Sequence, residues 1–281
     1  MKIDLHSHTT ASDGQLTPTE LMLRAANMQV DVLALTDHDT LGGIDEARAA
    51  IAEHDLKLTV IAGIEVSTLW QGFGIHIVGL NVDTNNAEFN HFVSEQKRIR
   101  EERALRIGEK LERTGFHGVY EQAQAAAKDG EITRAHFGRA LVQFHGLGSM
   151  AEAFKRFLGK GKAGDVKAQW PSIEMAVNAI QSAGGEAVLA HPLKYDLSTK
   201  WIRRLVSHFA DVQGDAVEVA GPGVTGQKQL LIHEIVAEAG LKGSVGSDFH
   251  APGRWTELGR FTRVLPNVSP IWQNWPLTST L

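Results

Sequence analysis

The 281-residue chain contains no cysteine, which excludes disulfides, thiolate metal sites and a cysteine nucleophile. No apolar run approaches the ~20 residues that a bilayer-spanning helix needs, so no membrane association is expected. Met1-Lys2-Ile3-Asp4-Leu5-His6 places charge and a histidine where a secretory leader would be apolar; a cytoplasmic location is the expectation. Nucleotide-binding glycine signatures are missing as well. No strand is followed by Gly-x-Gly-x-x-Gly, and there is neither a Walker A sequence nor a Gly-x-Ser-x-Gly elbow. Gly221-Pro222-Gly223 lacks the remainder of such a pattern and reads as a turn. A strong net charge is also absent: 33 acidic and 28 basic residues leave −5, which argues against non-specific nucleic-acid binding over the whole surface.

With 43% apolar and 22% charged residues, the composition is that of a soluble globular protein. The length suits one large domain or a domain with an insertion. The charge is unevenly spread, with 4 Lys/Arg against 12 Asp/Glu in residues 1–85 and 14 against 11 in residues 86–165. An acidic first segment suits cations and a basic middle segment suits anions, although solvated helix faces would give a similar division.

Strand and helix patterns alternate at both ends of the chain. Residues 2–5 read as a first strand, and Thr17-Pro18-Thr19-Glu20 as a capping box opening a helix. Strands follow at Val32–Thr36, Leu58–Ile64 and Ile75–Leu80, with a helix after Gly42-Gly43. Alternation resumes with a helix from Ser172 and strands at Ala187–Ala190, Ala216–Val219 and Ser244–Gly246. Seven strands in parallel βα units can close an α/β barrel related to the eight-stranded type. Between them, residues 86–165 show only helical patterns: a long charged helix over about Ala87–Thr114, then Gln122–Lys128, Arg134–Phe144 and Ser149–Leu158. The expected organisation is a barrel of residues 1–85 and 166–281 with residues 86–165 as an inserted helical subdomain. The tail from Pro266 to Leu281 is expected to pack on the barrel surface.

What the sequence has in quantity is histidine, with 13 residues. Functional groups of βα barrels gather at the C-terminal ends of strands, and here those ends read His6-Ser7-His8 with Asp13 beyond, Thr36-Asp37-His38-Asp39, Gly63-Ile64-Glu65, Ala190-His191-Pro192 and Gly246-Ser247-Asp248-Phe249-His250. His76 lies on the fourth strand and alone would read as a core histidine. Alternate strand residues face one side, so His6 and His8 can grip one ion, as can Asp248 and His250. Imidazole and carboxylate suit zinc, manganese and iron. One zinc takes about four ligands, so the set His6, His8, Asp13, His38, Glu65, His76, His191, Asp248 and His250 implies two or three ions with Glu65 bridging. Asp39 is read as a cap of the next helix, a role also open to Asp37. The histidines in helices and connections are expected to be bystanders except His136, which follows Arg134.

The insertion complements this set. Arg100 and Arg103 lie three residues apart on one helix face, and Thr133 caps a helix that begins with Arg134, where the helix N-terminus favours an anion. Arginine forks match phosphate oxygens. Lys160-Gly161-Lys162-Ala163-Gly164 is a basic loop that could form a lid.

His6-x-His8 with Asp13, Thr36-Asp37-His38, Glu65, His76, His191-Pro192 and Ser247-Asp248-x-His250 resemble the motifs of the PHP (polymerase and histidinol phosphatase) family of metal-dependent phosphoesterases. The resemblance implies a distorted (βα)7 barrel with a trinuclear site, commonly manganese, with zinc or iron also used. Members with a helical insertion after the fourth strand hydrolyse the 3′-phosphate of nucleoside 3′,5′-bisphosphates or act as 5′→3′ exoribonucleases on short RNA and ribosomal RNA 5′ ends. The substrate is therefore expected to be a nucleotide or short RNA, and no protein partner is predicted. The resemblance places Arg100, Arg103 and Arg134 at substrate phosphate, with His136 beside them. A water bridging the ions, held by Glu65, Asp13, Asp248 and His250, is expected to attack phosphorus in line. A histidinol-phosphate phosphatase and a non-catalytic metal-binding domain are the alternatives.

Overall fold

The computed structural model describes residues 1–167, 169–253 and 256–277. Its seven strands are β1 (Ile3–Asp4), β2 (Val32–Leu35), β3 (Thr59–Trp70), β4 (Phe73–Leu80), β5 (Glu186–Leu189), β6 (Ala216–Ala220) and β7 (Lys242–Val245), and they form one sheet in chain order. The sheet curls into a nearly closed barrel. Across its seam, Leu5 donates to the Val245 carbonyl at 3.0 Å and His8 to that of Phe249 at 2.8 Å, and Ser7 bridges Phe249. Asp4 adds a buried stitch, accepting from the Ser247 and Gly259 amides at 2.8 Å each.

The parallel alternation expected for all seven strands fails at β4, which runs antiparallel to both β3 and β5. The reason is the connection. Trp70 pairs with Phe73 across Gln71 (φ 51°) and Gly72 (φ 80°), a two-residue turn that can only reverse the chain, whereas a parallel crossover needs a dozen residues or more. Because β4 is inverted, its N-terminal half lies at the barrel mouth, and this puts His76, opposite Ser67, among the strand-end residues.

Alternation of the strand side chains divides the core in two. Ile3, Leu5, Val32, Ala34, Ile61, Val78, Leu80, Val188, Ala216 and Val245 fill the bore. The opposite faces of the strands pack on helices α1 (Pro18–Asn27), α2 (Ile44–Glu53), α7 (Ile173–Ser182), α8 (Thr199–Asp211) and α9 (Gln227–Glu238) through Leu21, Ala47, Val177, Leu205, Val236 and their neighbours. The capping box of α1 forms as its sequence implies, with Thr17 accepting from the Glu20 amide and Glu20 from that of Thr17. The tail is placed more deeply than a surface segment. Ile271 joins the bore cluster with Trp272, Trp275 and Leu277 against it, and Gly243 donates to the Ser269 carbonyl, so the tail plugs the end remote from the mouth. The last four positions of the expected tail, 278–281, lie outside the described residues.

Between β4 and β5 run α3 (Ala87–Glu112), α4 (Val119–Ala127), α5 (Arg134–Phe144), α6 (Met150–Ala153) and a π-helical turn at Phe154–Leu158. Phe89 near the start of α3 belongs to the barrel's outer core. Farther along, Ala104, Ile107 and Leu111 pack with Val119, Ala123, Phe137 and Leu141 in a separate core. The helix α3 is thus a beam shared between barrel and insertion. The loop Lys160–Gly164 is tied down rather than free: Gly164 donates to the Phe157 carbonyl at 2.7 Å and the Lys160 ammonium lies 5.3 Å from the Phe73 ring centroid.

Candidate metal centre

All nine candidate ligand residues converge at the barrel mouth. Their nitrogen and oxygen atoms fall into four overlapping groups: His8, Asp13, His38 and His250; His6, His8 and Asp248; His6, Glu65 and His191; and His38, Glu65 and His76. Glu65, buried at the end of the parallel stretch of β3, stands at the centre. Its Oε2 lies 3.4 Å from His6 Nε2, 3.3 Å from His8 Nε2 and 2.9 Å from His38 Nδ1. Its Oε1 lies 2.8 Å from His76 Nδ1 and 2.9 Å from His191 Nε2. Asp248 Oδ1 approaches His8 Nε2 at 3.2 Å, and Asp13 Oδ1 approaches His250 Nε2 at 3.2 Å.

These contacts are not a satisfied hydrogen-bond network. His8 Nδ1, Asp13 Oδ1, His38 Nδ1, Glu65 Oε2 and His191 Nδ1 are buried without a hydrogen-bond partner, although several lie at ion-pair distance. The Nε2 atoms of His6 and His8 sit only 3.1 Å apart. Unpaired buried polar atoms are costly, and lone pairs aimed at common points are what divalent cations satisfy. Imidazole and carboxylate in this proportion suit manganese, zinc or iron. The donor set fits the group.

Burial raises the Glu65 carboxyl, but the imidazoles of His38, His76 and His6 outweigh it and hold it well below its usual range. Burial, and then His250, push His8 down to about 3, which keeps its ring neutral and able to ligate.

Outside the nine, a second set of residues fixes their orientation. Glu218, in the apolar strand Ala-Val-Glu-Val-Ala, accepts from His6 Nδ1 at 2.6 Å and from the His191 amide at 2.6 Å. A proton held on His6 Nδ1 leaves Nε2 as the donor toward the centre. Sequence reading missed Glu218; the signal was a lone charge on the same face as two alanines of a buried strand. Tyr195 Oη accepts from the His76 amide at 2.8 Å. The expected capping roles of Asp37 and Asp39 are corrected. The residue before α2 is Gly43, which makes no side-chain cap. Asp37 instead accepts from the Thr9 amide, Thr9 Oγ1 and Ser12 Oγ at 2.6–2.7 Å, folding the loop that carries Asp13. Asp39, His191 and Asp248 have φ of 53°, 32° and 50°, a left-handed backbone that costs non-glycine residues energy and gathers at functional sites.

Asp39 also ties the insertion to the mouth. Its carboxylate accepts from the Ser67 amide, Gln96 Nε2 and both Nε and Nη2 of Arg100. Arg100, expected at substrate phosphate, is therefore buried and engaged within the protein, with Trp170 5.3 Å from its Cζ. Arg103 donates to the Val166 carbonyl at 3.0 Å, and burial, then Arg134 and Arg100, push its guanidinium down to about 9. Arg134 is lowered by burial and by Arg100, against the pull of Asp165. The arginines thus form a mutually repelling positive group. His136 is buried and accepts from the Thr133 amide at Nδ1, 3.0 Å away; burial, then Arg139, lower it to about 4, so the neutral ring carries its proton on Nε2. Arg139, which sequence reading passed over, donates to the Asp13 carbonyl at 2.5 Å. The Glu131 amide donates to the Ala11 carbonyl at 2.9 Å.

The family model described as "PHP domain" matches residues 4–164. The chain is 48% identical to a 5′-3′ exoribonuclease of Haemophilus influenzae, over 97% of this chain and 98% of that one. It is 40% identical to a 3′,5′-nucleoside bisphosphate phosphatase of Chromobacterium violaceum, over 96% and 95%. A solved structure from Chromobacterium violaceum, described as an amidohydrolase with bound sulfate and no metal, superposes with a TM-score of 0.89 at 39% identity, covering 97% of this chain and 95% of that chain.

Proposed function

The chain belongs to the PHP-domain family, and from that membership we propose that it is a metal-dependent phosphoesterase hydrolysing nucleoside 3′,5′-bisphosphates and, as a 5′→3′ exoribonuclease, short RNA. The observation that carries the reading is the convergence of nine imidazole and carboxylate side chains on overlapping points beside a group of arginines, Arg100 buried and Arg103 and Arg134 half-buried. Two or three divalent ions occupy the centre, manganese in first place and zinc or iron as other occupants. His6, His8, Asp13, His38, Glu65, His76, His191, Asp248 and His250 hold them. Bound there, divalent ions activate water and supply charge for the entering and leaving oxygens of an in-line displacement at phosphorus.

The rest is the work of the protein's own groups. Glu65 presents one oxygen to each side of the centre, so a single carboxylate spaces the ligand groups. Glu218 holds the tautomer of His6. Arg103 and Arg134 receive the 5′-phosphate, whose charge relieves their mutual repulsion, and Arg100 anchors their helix to Asp39. His136 offers Nε2–H beside them as a neutral donor. Fixing the phosphate away from the reacting centre orients the scissile P–O3′ bond. The same bond breaks in both substrates: the 3′-phosphate of a bisphosphate and the first internal phosphate of RNA leave the same O3′ behind.

A manganese-supplemented panel of 3′-phosphoadenosine 5′-phosphate, a 5′-phosphorylated RNA oligomer and histidinol phosphate tests this function. Turnover of the first two is expected. Turnover of histidinol phosphate alone would replace the nucleotide reading with a small-molecule phosphatase, and no turnover at all would leave a metal-binding domain.

A further inference from the structure

The arginines of the insertion reach the mouth from the side of β1 to β3. The insertion touches the mouth at Ala11, Asp13, Asp39 and Ser67, all on or beyond β1 to β3. Over the ends of β5 to β7 lies a separate cleft of roughly 480 Å³, counting space open to solvent, which reaches His191 and Asp248 and is lined beyond them by Leu193, Lys194, Pro222, Val224 and Lys228. Its outer wall is built on the Gly221-Pro222-Gly223 turn: Gly223 has φ 80° and Val224 donates to the Gly221 carbonyl at 3.1 Å, the geometry of a type II turn. The cleft has two cations. Lys194 is paired with Asp248, while Lys228, on the exposed first turn of α9, makes no ion pair among the described residues.

We propose that this cleft receives the second nucleotide of an RNA substrate, which makes it a subsite for diesters that the mononucleotide does not use; the proposal rests on the phosphoesterase reading above. In either substrate the oxygen of water joins phosphorus, the P–O3′ bond breaks, and O3′ leaves with the electron pair and takes up a proton. The departing nucleoside carries the 5′-phosphate toward the arginines. A diester differs only in that one of the oxygens staying on phosphorus bears the rest of the RNA. That substituent needs room adjoining the centre and away from the insertion, and the cleft over β5–β7 meets both conditions. Its composition matches the second nucleotide. Lys194 and Lys228 suit the following phosphate, and Leu193, Pro222 and Val224 offer an apolar face to sugar and base. Such a face reads no base edge, which is what an exonuclease moving along any sequence requires.

The test uses the full chain loaded with manganese, with 3′-phosphoadenosine 5′-phosphate and a 5′-phosphorylated RNA pentamer as probes, and compares wild type with Lys228→Ala and Lys228→Glu. Both replacements lie on an exposed position, so folding is not at stake. The ratio of kcat/KM for the pentamer to that for the bisphosphate should fall about fivefold in Lys228→Ala, the upper range for an exposed ionic contact, and further in Lys228→Glu. The salt dependence of pentamer KM in Lys228→Ala should lose about 0.7 from its logarithmic slope, the loss of one single-strand phosphate contact. A ratio within about twofold of wild type in both variants, or a wild-type protein that hydrolyses the bisphosphate and not the pentamer, overturns the subsite alone. A wild type that hydrolyses neither overturns the phosphoesterase reading and the subsite with it.

Discussion

Replacing Asp39 by alanine removes one carboxylate that four donors share. Arg100, only 5% exposed, would keep Ser67 Oγ and the face of Trp170 as partners, and the Ser67 amide would lose its acceptor. Truncating one member of a buried ion pair costs about 3–5 kcal/mol, because the other charge stays behind unpaired. At about 2–4 °C per kcal/mol for a chain of this size, the unfolding midpoint should fall by roughly 10 °C. Arg100→Ala should cost less, since the Asp39 carboxylate keeps the Ser67 amide and Gln96. The double variant should be more stable than the two single losses predict, with a coupling of at least about 1.5 kcal/mol. Urea unfolding followed by tryptophan fluorescence, at saturating manganese throughout, gives the four free energies. The bisphosphate KM should rise in Asp39→Ala with metal content retained, because the beam carrying Arg103 loses its anchor. A loss under about 1 kcal/mol in Asp39→Ala, or strict additivity in the double variant, would refute the latch.

Four further outcomes are expected. Glu218→Gln, which weakens control of the His6 tautomer, should lower metal affinity by about 10- to 100-fold in calorimetric titration, with far-UV circular dichroism unchanged; wild-type affinity would show that His6 is oriented by other means. Gly130→Ala would put a methyl 2.1 Å from the Thr10 carbonyl oxygen, so the insertion must move off the Asp13 loop, and KM for the bisphosphate should rise at least about tenfold. An unchanged KM there would mean that the contact is dispensable. Chelation should lower the unfolding midpoint by several degrees, since a ligand at about a hundred times its Kd stabilises by about 2.7 kcal/mol; differential scanning calorimetry with and without manganese reads this directly. Arg134→Ala should raise bisphosphate KM far more than it alters metal content measured by mass spectrometry, and loss of metal would move Arg134 from substrate to the centre.

The donors at the mouth were legible because strand periodicity and strand-end position determine where a side chain points. His6 and His8, or Asp248 and His250, announce a shared target through spacing alone. The fold was legible to the same depth, seven strands and a helical segment, but the inversion of β4 was not. It hangs on two residues, Gln71 and Gly72, in the interval between the strands read at Leu58–Ile64 and Ile75–Leu80. The supporting shell was harder still. Asp37 and Asp39 look like helix caps by local rules, and their true partners, Thr9, Ser12, Ser67 and Arg100, are set by tertiary packing. Arg100 illustrates the limit from the other side: a helix face shows that it neighbours Arg103, not that a carboxylate 61 residues earlier holds it.

The barrel seam carries a consequence for how the molecule is assembled. His6 and His8 stand at the start of the chain, Asp248 and His250 near its end, and the strands between which they sit are joined by few backbone bonds; the buried Asp4–Ser247 contact spans 243 residues. An ion held by His6, His8 and Asp248 would then be a cross-link closing nearly the whole chain into a ring, the part that a disulfide takes in other proteins. Long loops are where such closure removes the most freedom from the unfolded chain. With no thiol available, the side chains that such an ion would bridge across the seam also belong to the proposed catalytic centre, so a chain that failed to bring its two ends together would also lack the site for the ions it needs.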